Sequence, residues 1–345
     1  MRSTHAKVIP ELCLWEFKHF TIQTLVIESH CLKKNPLNDS AKRFNPVLIP
    51  KKTPPKEGYP VVLVLSGYSG NGPRYFAPKT FEENGPQVLD ACLGREEAAA
   101  AIYCFVDAMT FWGGSQFINS KGMGLYEDFI IQELVPSLKQ SFPVQENAKY
   151  WCVSGGSSGG YGALHLTSKH PEIFGICAAI APDCFFEASL LPEIRKIVPH
   201  IEKIGGVAAV KKELIEGKLL SRKVAFDILN VVAMGLCYAP SRGENFVTPI
   251  DHEGRVIEEK WSRWLEHDPL CFLKERQRGI QSLRAIYLDV GDRDQFHLQF
   301  GARQIKKLLH GMKVSLSYHE FSGTHWDIGK RRPEMWLWLK KQWEK

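Results

Sequence analysis

The stretch that most constrains the fold of this chain is residues 150–164, which read Y-W-C-V-S-G-G-S-S-G-G-Y-G-A-L. An apolar run typical of a buried strand leads into a turn of serines and glycines, and a helix-like stretch follows. A strand that turns sharply into a helix through small residues predicts a nucleophile elbow, G-x-S-x-G, whose strained turn raises a serine hydroxyl above the sheet. Glycines must flank that serine at two residues' distance, because a Cβ there would collide with a neighbouring strand or helix.

The elbow pattern fits two adjacent serines, Ser157 and Ser158, since each has a glycine two residues before it and two after it. The spacing alone leaves both open as the nucleophile. A glycine-rich turn can also bind phosphate, but a Rossmann loop requires G-x-G-x-x-G in the first βαβ unit, and a P-loop requires G-K-[ST]. The chain lacks the P-loop motif. The pattern therefore favours a hydrolase over a phosphate-binding loop or a turn without chemistry.

Apolar runs separated by helical patterns predict an α/β fold with a mostly parallel sheet. The continuous run V-V-L-V-L at 61–65 is typical of a parallel strand that is buried on both faces. Ligands of such sheets bind where the carboxyl ends of the strands meet. The predicted strands are residues 20–28, 44–49, 61–65, 101–106, 150–153, 174–181, 285–290 and 314–321. The predicted helices among them are residues 126–140, 161–170, 296–312 and 333 onward, the last packing on the core.

The rhythm of strands and helices stops at residues 184–284, a stretch of about one hundred residues with mainly helical patterns. We interpret this stretch as an insertion that forms a cap over the strand ends, with additional core helices as the alternative. Residues 1–183 and 285–345 then form the core of the fold. The predicted helices of the insertion are residues 194–204, 208–220, 221–238 and 261–275.

The composition is that of an ordinary globular protein, with 44% hydrophobic and 24% charged residues among 345. The net charge of +6 is mild and the basic pairs are scattered, which gives no support for nucleic-acid binding. The nine cysteines are odd in number and form no C-x-x-C pair, which favours reduced thiols in the cytoplasm. The N-terminal residues do not resemble a secretion signal. The longest apolar run, 224–239, is too short and too polar to span a membrane.

An acid and a base follow the elbow in the order that α/β-hydrolases use, serine, then Asp or Glu, then His. Asp292 and Asp294 lie just beyond one predicted strand, and His325 lies just beyond the next. A serine hydroxyl needs such a base to remove its proton, and the carboxylate holds the imidazole in one tautomer. Asp289 and His319 fall inside strands and are assigned structural roles.

Four segments of the chain together resemble the motifs of one protein family. Residues 157–164, S-S-G-G-Y-G-A-L, resemble the S-x-G-G-Y-G-A-L elbow of the putative esterase family. Residues 65–68, L-S-G-Y, resemble the oxyanion loop of its S-formylglutathione hydrolases. Residues 291–296, G-D-R-D-Q-F, resemble its acid-bearing segment, and residues 323–325, G-T-H, resemble its G-x-H segment. The family includes esterase D, feruloyl-type esterases and mycolyltransferases.

The resemblance implies an α/β-hydrolase fold and assigns each role to one residue. The nucleophile falls on Ser157, the acid on Asp294 and the base on His325. The backbone N–H groups of Tyr68 and Ser158 fall where the family holds the oxyanion. The resemblance implies neither a metal nor an organic cofactor. It covers residues 20–183 and 285–345, whereas the insertion is longer than in compact family members.

The resulting prediction is a serine hydrolase that cleaves a small-molecule carboxylic ester or thioester through an acyl-enzyme. An acyltransferase that uses the same residues with a sugar or another alcohol as acceptor is the first alternative. A hydrolase fold that binds such a ligand without turnover is the second. Trp112 and Trp326 lie in loops near the predicted site and are candidates for substrate contact, with ordinary packing as the alternative.

Overall fold

One mixed sheet of nine strands organises the part of the chain described by the computed structural model, residues 6–10 and 16–344. Cys13 and most of the N-terminal stretch discussed above lie outside these residues. The strands are β1 Ala6–Pro10, β2 Phe20–Glu28, β3 Lys42–Pro50, β4 Val61–Leu65, β5 Ile102–Phe105, β6 Trp151–Gly156, β7 Ile176–Ile180, β8 Ala285–Gly291 and β9 Ser317–Phe321. Each strand predicted from the sequence is present, with ends that shift by a few residues.

The order of the sheet is β1-β2-β3-β5-β4-β6-β7-β8-β9. Strands β5, β4, β6, β7, β8 and β9 are parallel neighbours, while β1, β2 and β3 extend the sheet in antiparallel fashion. Every residue of β4, β7 and β8 is buried, as expected for strands covered on both faces. The register pairs Leu65 with Gly155 and Ile180 with Gly156, so these three strands end at the same level. Their following loops therefore meet at one edge.

Twelve α-helices flank this sheet in the described residues. They are α1 Gly85–Gly94, α2 Tyr126–Asp128, α3 Val135–Ser141, α4 Ser158–Lys169, α5 Leu190–Ile204, α6 Val207–Ile215, α7 Ala225–Tyr238, α8 Glu258–Leu265, α9 Pro269–Glu275, α10 Gln277–Ser282, α11 Leu298–Gly311 and α12 Arg332–Trp343. A π-helical segment, Phe129–Leu134, joins α2 to α3, so the predicted helix 126–140 is continuous but not α-helical throughout. As predicted, α12 packs on the core, where Met335, Trp336 and Leu339 are buried.

The prediction of one helix over 261–275 is wrong, because the chain breaks it into α8 and α9. Pro269 is the first residue of α9, and proline inside a longer helix would remove a backbone hydrogen bond and clash with the preceding turn. Asp268 caps the new helix, since its carboxylate accepts a 2.8 Å hydrogen bond from the N–H of Leu270. The same carboxylate accepts the N–H groups of Phe185 and Phe186, which fixes the start of the insertion.

Helix α4 is buried along its whole length from Ser158 to Ser168. The sheet covers one side of it, and helices α9 and α10 of the insertion cover another. The ring of Phe272 on α9 meets the ring of Tyr161 on α4 edge to face, with centroids 5.9 Å apart. The insertion thus shares the hydrophobic core of the sheet.

A buried charged network lies beneath α4, away from the strand ends. The Glu127 carboxylate accepts hydrogen bonds from Nε2 of His165 at 2.9 Å and Nε2 of His170 at 2.8 Å, and it pairs with Lys169 at 2.9 Å. Arg276 lies 3.2 Å from Nδ1 of His165. Both contacts of His165 are satisfied by the neutral ring with its proton on Nε2. These partners hold the pKa of the Glu127 carboxyl well below its ordinary value, against the effect of its burial.

One buried histidine, His165, and one partly buried histidine, His267, make the fold sensitive to acid. Burial lowers the pKa of His165 and of His267 to about 4, and the neighbouring charge of Arg276 acts in the same direction. The unfolded chain, with ordinary histidine pKa values near 6.5, therefore binds more protons between pH 6.5 and pH 4. We expect the free energy of unfolding to fall through this window, by on the order of 2 kcal/mol per histidine at pH 5. Urea unfolding at pH 7 and pH 5 measures the loss.

The matched variants for this experiment are His267→Gln and His310→Gln. Glutamine does not titrate, so His267→Gln is expected to lose less stability between pH 7 and pH 5 than the unmodified protein. His310 is exposed on α11, and its replacement is expected to leave the pH dependence as it was. Identical pH dependence in all three proteins would contradict the role assigned to burial of His267.

Candidate active site

The predicted elbow is formed at the junction of β6 and α4. Ser157 stands between them with φ 57° and ψ −126°, a backbone conformation that side chains other than glycine seldom adopt. A Cβ on Gly155 would overlap the backbone of Gly159, and a Cβ on Gly159 would overlap the carbonyl group of Leu65 at the end of β4. The glycines that flank Ser157 are therefore required by close packing, and this packing holds the serine in its strained turn.

His325 connects the hydroxyl of Ser157 to a carboxylate. Nε2 of His325 lies 3.1 Å from Oγ of Ser157, and Nδ1 of His325 lies 2.7 Å from Oδ2 of Asp294. The imidazole that satisfies both contacts carries its proton on Nδ1, donates it to the carboxylate and accepts the serine hydroxyl at Nε2. Both His325 and Asp294 are buried, with 5% and 3% of their surfaces exposed, which strengthens the interaction by excluding water.

The loops after β8 and β9 hold the acid and the base in place. Oδ1 of Asp294 accepts the N–H of Phe296 at 2.9 Å, and the side chain of Gln295 accepts the N–H of His325 at 2.9 Å. The ring of Phe296 meets the imidazole edge to face, with centroids 4.8 Å apart. These contacts leave His325 one orientation, with Nε2 toward the elbow.

Asp292, the other candidate acid, connects two loops and forms no hydrogen bond with His325 in the structure. Its Oδ1 accepts the N–H of Gly323 at 2.9 Å and so joins the loop after β8 to the loop after β9. Asp289 lies inside β8, where it receives hydrogen bonds from Tyr287 and Arg331 at 2.8 Å each. The structure thus brings Asp294 to His325 and directs the other two carboxylates elsewhere.

The two predicted oxyanion donors border Ser157. Ser158 is the first residue of α4, where backbone N–H groups have no partner within the helix. The loop that carries Tyr68 also lies against the elbow, since a Cβ built on Gly67 would be 3.7 Å from Cβ of Ser157. Tyr68 is anchored by its hydroxyl, which donates a 2.7 Å hydrogen bond to the carbonyl of Trp112.

Asp183 is a site residue that the sequence analysis did not select. It follows β7, and its carboxylate lies 3.0 Å from Oγ of Ser158 and 3.5 Å from Oγ of Ser157. Nε2 of Gln116 donates to the same carboxylate at 3.0 Å. Burial raises the pKa of the Asp183 carboxyl, and the hydrogen bonds from Gln116 and Ser158 oppose that rise. Its position directly after a buried strand was the available signal.

A cavity of about 710 Å³ opens above the elbow. It is lined by Ser157 and His325, by the loop after β4, by Phe226 and Met234 of α7, and by Trp326. Trp326 is 69% exposed and edges the imidazole of His325, with centroids 5.9 Å apart. Helices of the insertion therefore form part of the cavity wall.

Trp112 does not line this cavity, contrary to the expectation from the sequence that it contacts the substrate. The side chain of Trp112 is 1% exposed, and its Nε1 donates a 2.7 Å hydrogen bond to the carboxylate of Glu244 in the insertion. Its carbonyl accepts the hydroxyl of Tyr68. Trp112 therefore links the insertion to the loop that carries Tyr68.

Two properties of the described residues bear on metal and membrane binding. Among residues 6–10 and 16–344, no three side chains of His, Cys, Asp or Glu are grouped so that they could hold a metal ion. In that same part of the chain, no helix combines the length and the apolar character that crossing a bilayer requires.

Comparison with known proteins places this geometry in a family. The family described as "Putative esterase" matches residues 42–328, which is most of the chain. The chain belongs to the putative esterase family. The family predicted from the motifs is therefore confirmed, and the predicted enzyme class, carboxylic ester hydrolase, is the class of this family.

Solved structures share the fold of this putative esterase at low sequence identity. A ferulic acid esterase is 16% identical, with a TM-score of 0.58 and coverage of 94% of this chain and 99% of that one. An S-formylglutathione hydrolase from Staphylococcus aureus is 13% identical, with a TM-score of 0.56 and coverage of 94% and 100%. Another from Agrobacterium tumefaciens is 15% identical, with a TM-score of 0.55 and coverage of 99% and 98%. These similarities confirm the predicted α/β-hydrolase fold.

One relative among proteins of known sequence has a name that indicates no activity. An uncharacterised protein from Corynebacterium glutamicum is 25% identical over 117 residues, a match that spans 34% of this chain and 26% of that protein.

Proposed function

We propose that this putative esterase hydrolyses a carboxylic ester or thioester through an acyl-enzyme on Ser157. The observation that carries the proposal is the continuous hydrogen-bond chain from Oγ of Ser157 through the ring of His325 to Asp294. In this role Ser157 is the nucleophile, His325 the general base and acid, and Asp294 the group that orients the imidazole and stabilises its charged form.

In the first half of the reaction, Nε2 of His325 removes the proton of Ser157 as Oγ forms a bond to the substrate carbonyl carbon. Negative charge develops on the carbonyl oxygen, and the backbone N–H groups of Tyr68 and Ser158 would donate hydrogen bonds to it. The tetrahedral species then collapses, the bond to the alcohol or thiol breaks, and His325 gives its proton to the leaving oxygen or sulfur.

In the second half, a water molecule replaces the departed alcohol or thiol beside His325. Nε2 removes a proton from that water as its oxygen attacks the acyl carbon. Collapse of the second tetrahedral species breaks the bond to Oγ, and His325 returns the proton to Ser157. The products are a carboxylic acid and a free alcohol or thiol.

Both ester and thioester substrates are included in the proposal. The structural neighbours carry names of both kinds, ferulic acid esterase and S-formylglutathione hydrolase, and their identities of 13–16% bear on fold alone. The mechanism itself requires only a carbonyl carbon with an oxygen or sulfur leaving group. Trp326 is proposed to contact the substrate, since its exposed ring borders both the cavity and His325.

We further propose that residues 184–284 act as a cap on the hydrolase core formed by residues 1–183 and 285–345. Helices α5 and α7 of this stretch contribute Leu190, Phe226 and Met234 to the cavity wall, which supports that role. A cytoplasmic location is part of the proposal. Eight cysteines of the described residues are free, six of them buried, as suits a reducing compartment.

An active-site-directed fluorophosphonate probe tests the proposed function directly. We expect the probe to label one residue, Ser157, which peptide mass spectrometry identifies. The fraction of protein labelled should equal the fraction of p-nitrophenyl acetate hydrolysis that is lost. Protein unfolded in urea is the control, because labelling depends on the assembled site. Well-folded protein that is neither labelled nor active on esters of varied chain length and on S-formylglutathione would contradict the proposal.

A further inference from the structure

The cavity is lined by two sets of charged side chains of opposite sign. Arg74, Lys79 and Arg332 form the set called here the basic arm, and Asp183 and Glu193 form the set called the acidic arm. The basic arm is built from the segment after β4 and the start of α12, while the acidic arm is built from the loop after β7 and helix α5. A substrate that contacts both sets would meet positive charge from one and negative charge from the other.

Two guanidinium groups of the basic arm are held in place by neutral groups. Nη2 of Arg332 donates a 3.2 Å hydrogen bond to the hydroxyl of Tyr75, and its guanidinium carbon lies 4.8 Å from the centre of that ring. Nη1 of Arg74 donates a 2.9 Å hydrogen bond to the carbonyl of Ser69. Each guanidinium has five N–H donors, so these contacts position the group while its full charge stays available for a ligand. Lys79, by contrast, pairs with a carboxylate, that of Glu82.

The basic arm is connected along the chain to the imidazole that would protonate the leaving group. His325 must hand its proton to the leaving atom, so that part of the substrate faces the imidazole. From His325 the chain runs as a short 3₁₀-helix, His325–Arg331, directly into Arg332. Ile328 of this helix packs near the end of β6, because a Cβ on Gly156 would be 3.0 Å from its Cδ1. His325, Ile328 and Arg332 thus line the cavity from one continuous segment of the chain.

The acidic arm disfavours negative charge close to Ser157. The carboxylate of Asp183 lies 3.5 Å from Oγ of Ser157, whereas Glu193, which also lines the cavity, pairs with Lys196 at 3.4 Å. An anionic acyl group placed there would face a carboxylate at short range in a partly buried cavity, where repulsion is strong. A negatively charged substrate end is thus attracted to one arm and repelled by the other.

We propose that the ester or thioester cleaved here carries an anionic group, a carboxylate or a phosphate, on its alcohol or thiol part, and that Arg332 and Arg74 bind it. This inference rests on the proposed hydrolase function and adds the class of leaving group. A planar guanidinium matches the paired oxygens of a carboxylate or phosphate, and such charge-assisted hydrogen bonds are among the strong ones. Asp183 is the residue that keeps the acyl part uncharged or cationic.

Matched aryl acetates test the proposal, since they share one acyl group and differ in the charged or neutral group at position 3 of the leaving phenol. The substrates are 3-acetoxybenzoate, 3-acetoxyphenyl phosphate and the neutral 3-acetoxybenzamide. We expect kcat/KM for an anionic ester to exceed that for the amide by about ten- to a hundredfold, the scale of charge-assisted hydrogen bonds. The larger of the two preferences identifies the anion. The preference is expected to decline as salt is added.

Three variants locate the source of the preference. Arg332→Gln is expected to reduce the ratio of the two kcat/KM values to within about threefold of unity, because the principal charge-assisted contact is lost. Arg74→Gln, at an exposed position, is expected to reduce the ratio in part. It tests the basic arm even if Arg332→Gln fails to fold. Lys330→Gln is the control, since it removes one positive charge from the same segment at a side chain that pairs with Asp327 outside the cavity.

Charge on the acyl side gives the converse comparison. Phenyl hydrogen adipate is expected to be a poorer substrate than its neutral primary amide, and Asp183→Asn is expected to narrow that difference. Suppose that the neutral esters are cleaved but the kcat/KM values of the anionic and neutral acetates differ by less than about threefold. That result would overturn the inference about the leaving group, while the proposed hydrolase function would stand. An equal fall of the ratio in Lys330→Gln and Arg332→Gln would also overturn it. Failure to cleave any of these esters would overturn the proposed function as well.

Discussion

Ser157→Ala is expected to lower kcat for ester hydrolysis by at least about 10⁴-fold, the scale observed when a serine hydrolase loses its nucleophile. Alanine removes the only atom that would form the acyl-enzyme, while the strained backbone of the elbow keeps its packing. Hydrolysis of p-nitrophenyl acetate, with burst-phase analysis of the acyl-enzyme, measures the loss. Circular dichroism confirms that the variant is folded.

Ser158→Ala is the matched comparison, because the sequence pattern alone fits both serines. The hydroxyl of Ser158 donates to Asp183, whereas the hydroxyl of Ser157 is the one that meets His325. The backbone N–H of residue 158 survives the substitution, so the expected loss is no more than about tenfold, the value of one hydrogen bond. Equal losses in the two variants would remove the distinction drawn between them.

Asp294→Asn is expected to reduce kcat by about 10⁴-fold, as the same change does in serine proteases. An amide at this position lacks the negative charge that stabilises the imidazolium. If it also donates its NH₂ group to Nδ1 of His325, the ring proton moves to Nε2. In either case Nε2 ceases to be an effective base for Ser157. The measurement is the pH profile of kcat/KM, in which partial recovery at high pH is expected as hydroxide replaces the missing base.

Asp292→Asn provides the control for that variant, since two aspartates follow β8. Its Oδ1 accepts an N–H from the loop after β9, and the oxygen of an asparagine side chain can accept the same hydrogen bond. Its activity is expected to stay within about tenfold of the unmodified protein. A greater loss in Asp292→Asn than in Asp294→Asn would mean that the acid of the site has been wrongly assigned.

The strands of the sheet were predictable because their physical signal is local. A parallel strand covered on both faces must be apolar along its whole length, and 61–65 and 285–290 meet that demand with few polar residues. The elbow was predictable for a similar reason. Glycines at 155 and 159 are dictated by backbone contacts to the next helix and to β4, so the pattern itself records the packing.

The insertion was less predictable, because its helices pack in ways that periodicity does not specify. Apolar spacing merged α8 and α9 into one helix, whereas Asp268 and Pro269 mark a cap and a first helical residue. Giving those two residues more weight would have placed the break. The way α9 and α10 pack on α4 depends on contacts across more than one hundred residues of chain, as between Arg276 and His165 at a separation of 111.

The candidate site was predictable where chain order carries the information. Ser157, Asp294 and His325 each follow a strand, and the structure brings them within hydrogen-bond distance of one another along one chain of contacts. Asp183 and Arg332 were missed, since an aspartate after a strand and an arginine at a helix start are common in any protein. Trp112 was misassigned because a loop aromatic has the same sequence signal whether it packs or faces a ligand.

The burial of helix α4 has a consequence for protein engineering. Deletion of residues 184–284 would expose the apolar face of α4 that these residues cover, including Tyr161, and would remove Arg276 from the charged network next to it. The shortened protein would expose an apolar surface and would be prone to aggregate. A smaller catalytic unit is therefore better sought by placing polar side chains on that face of α4 than by deletion alone.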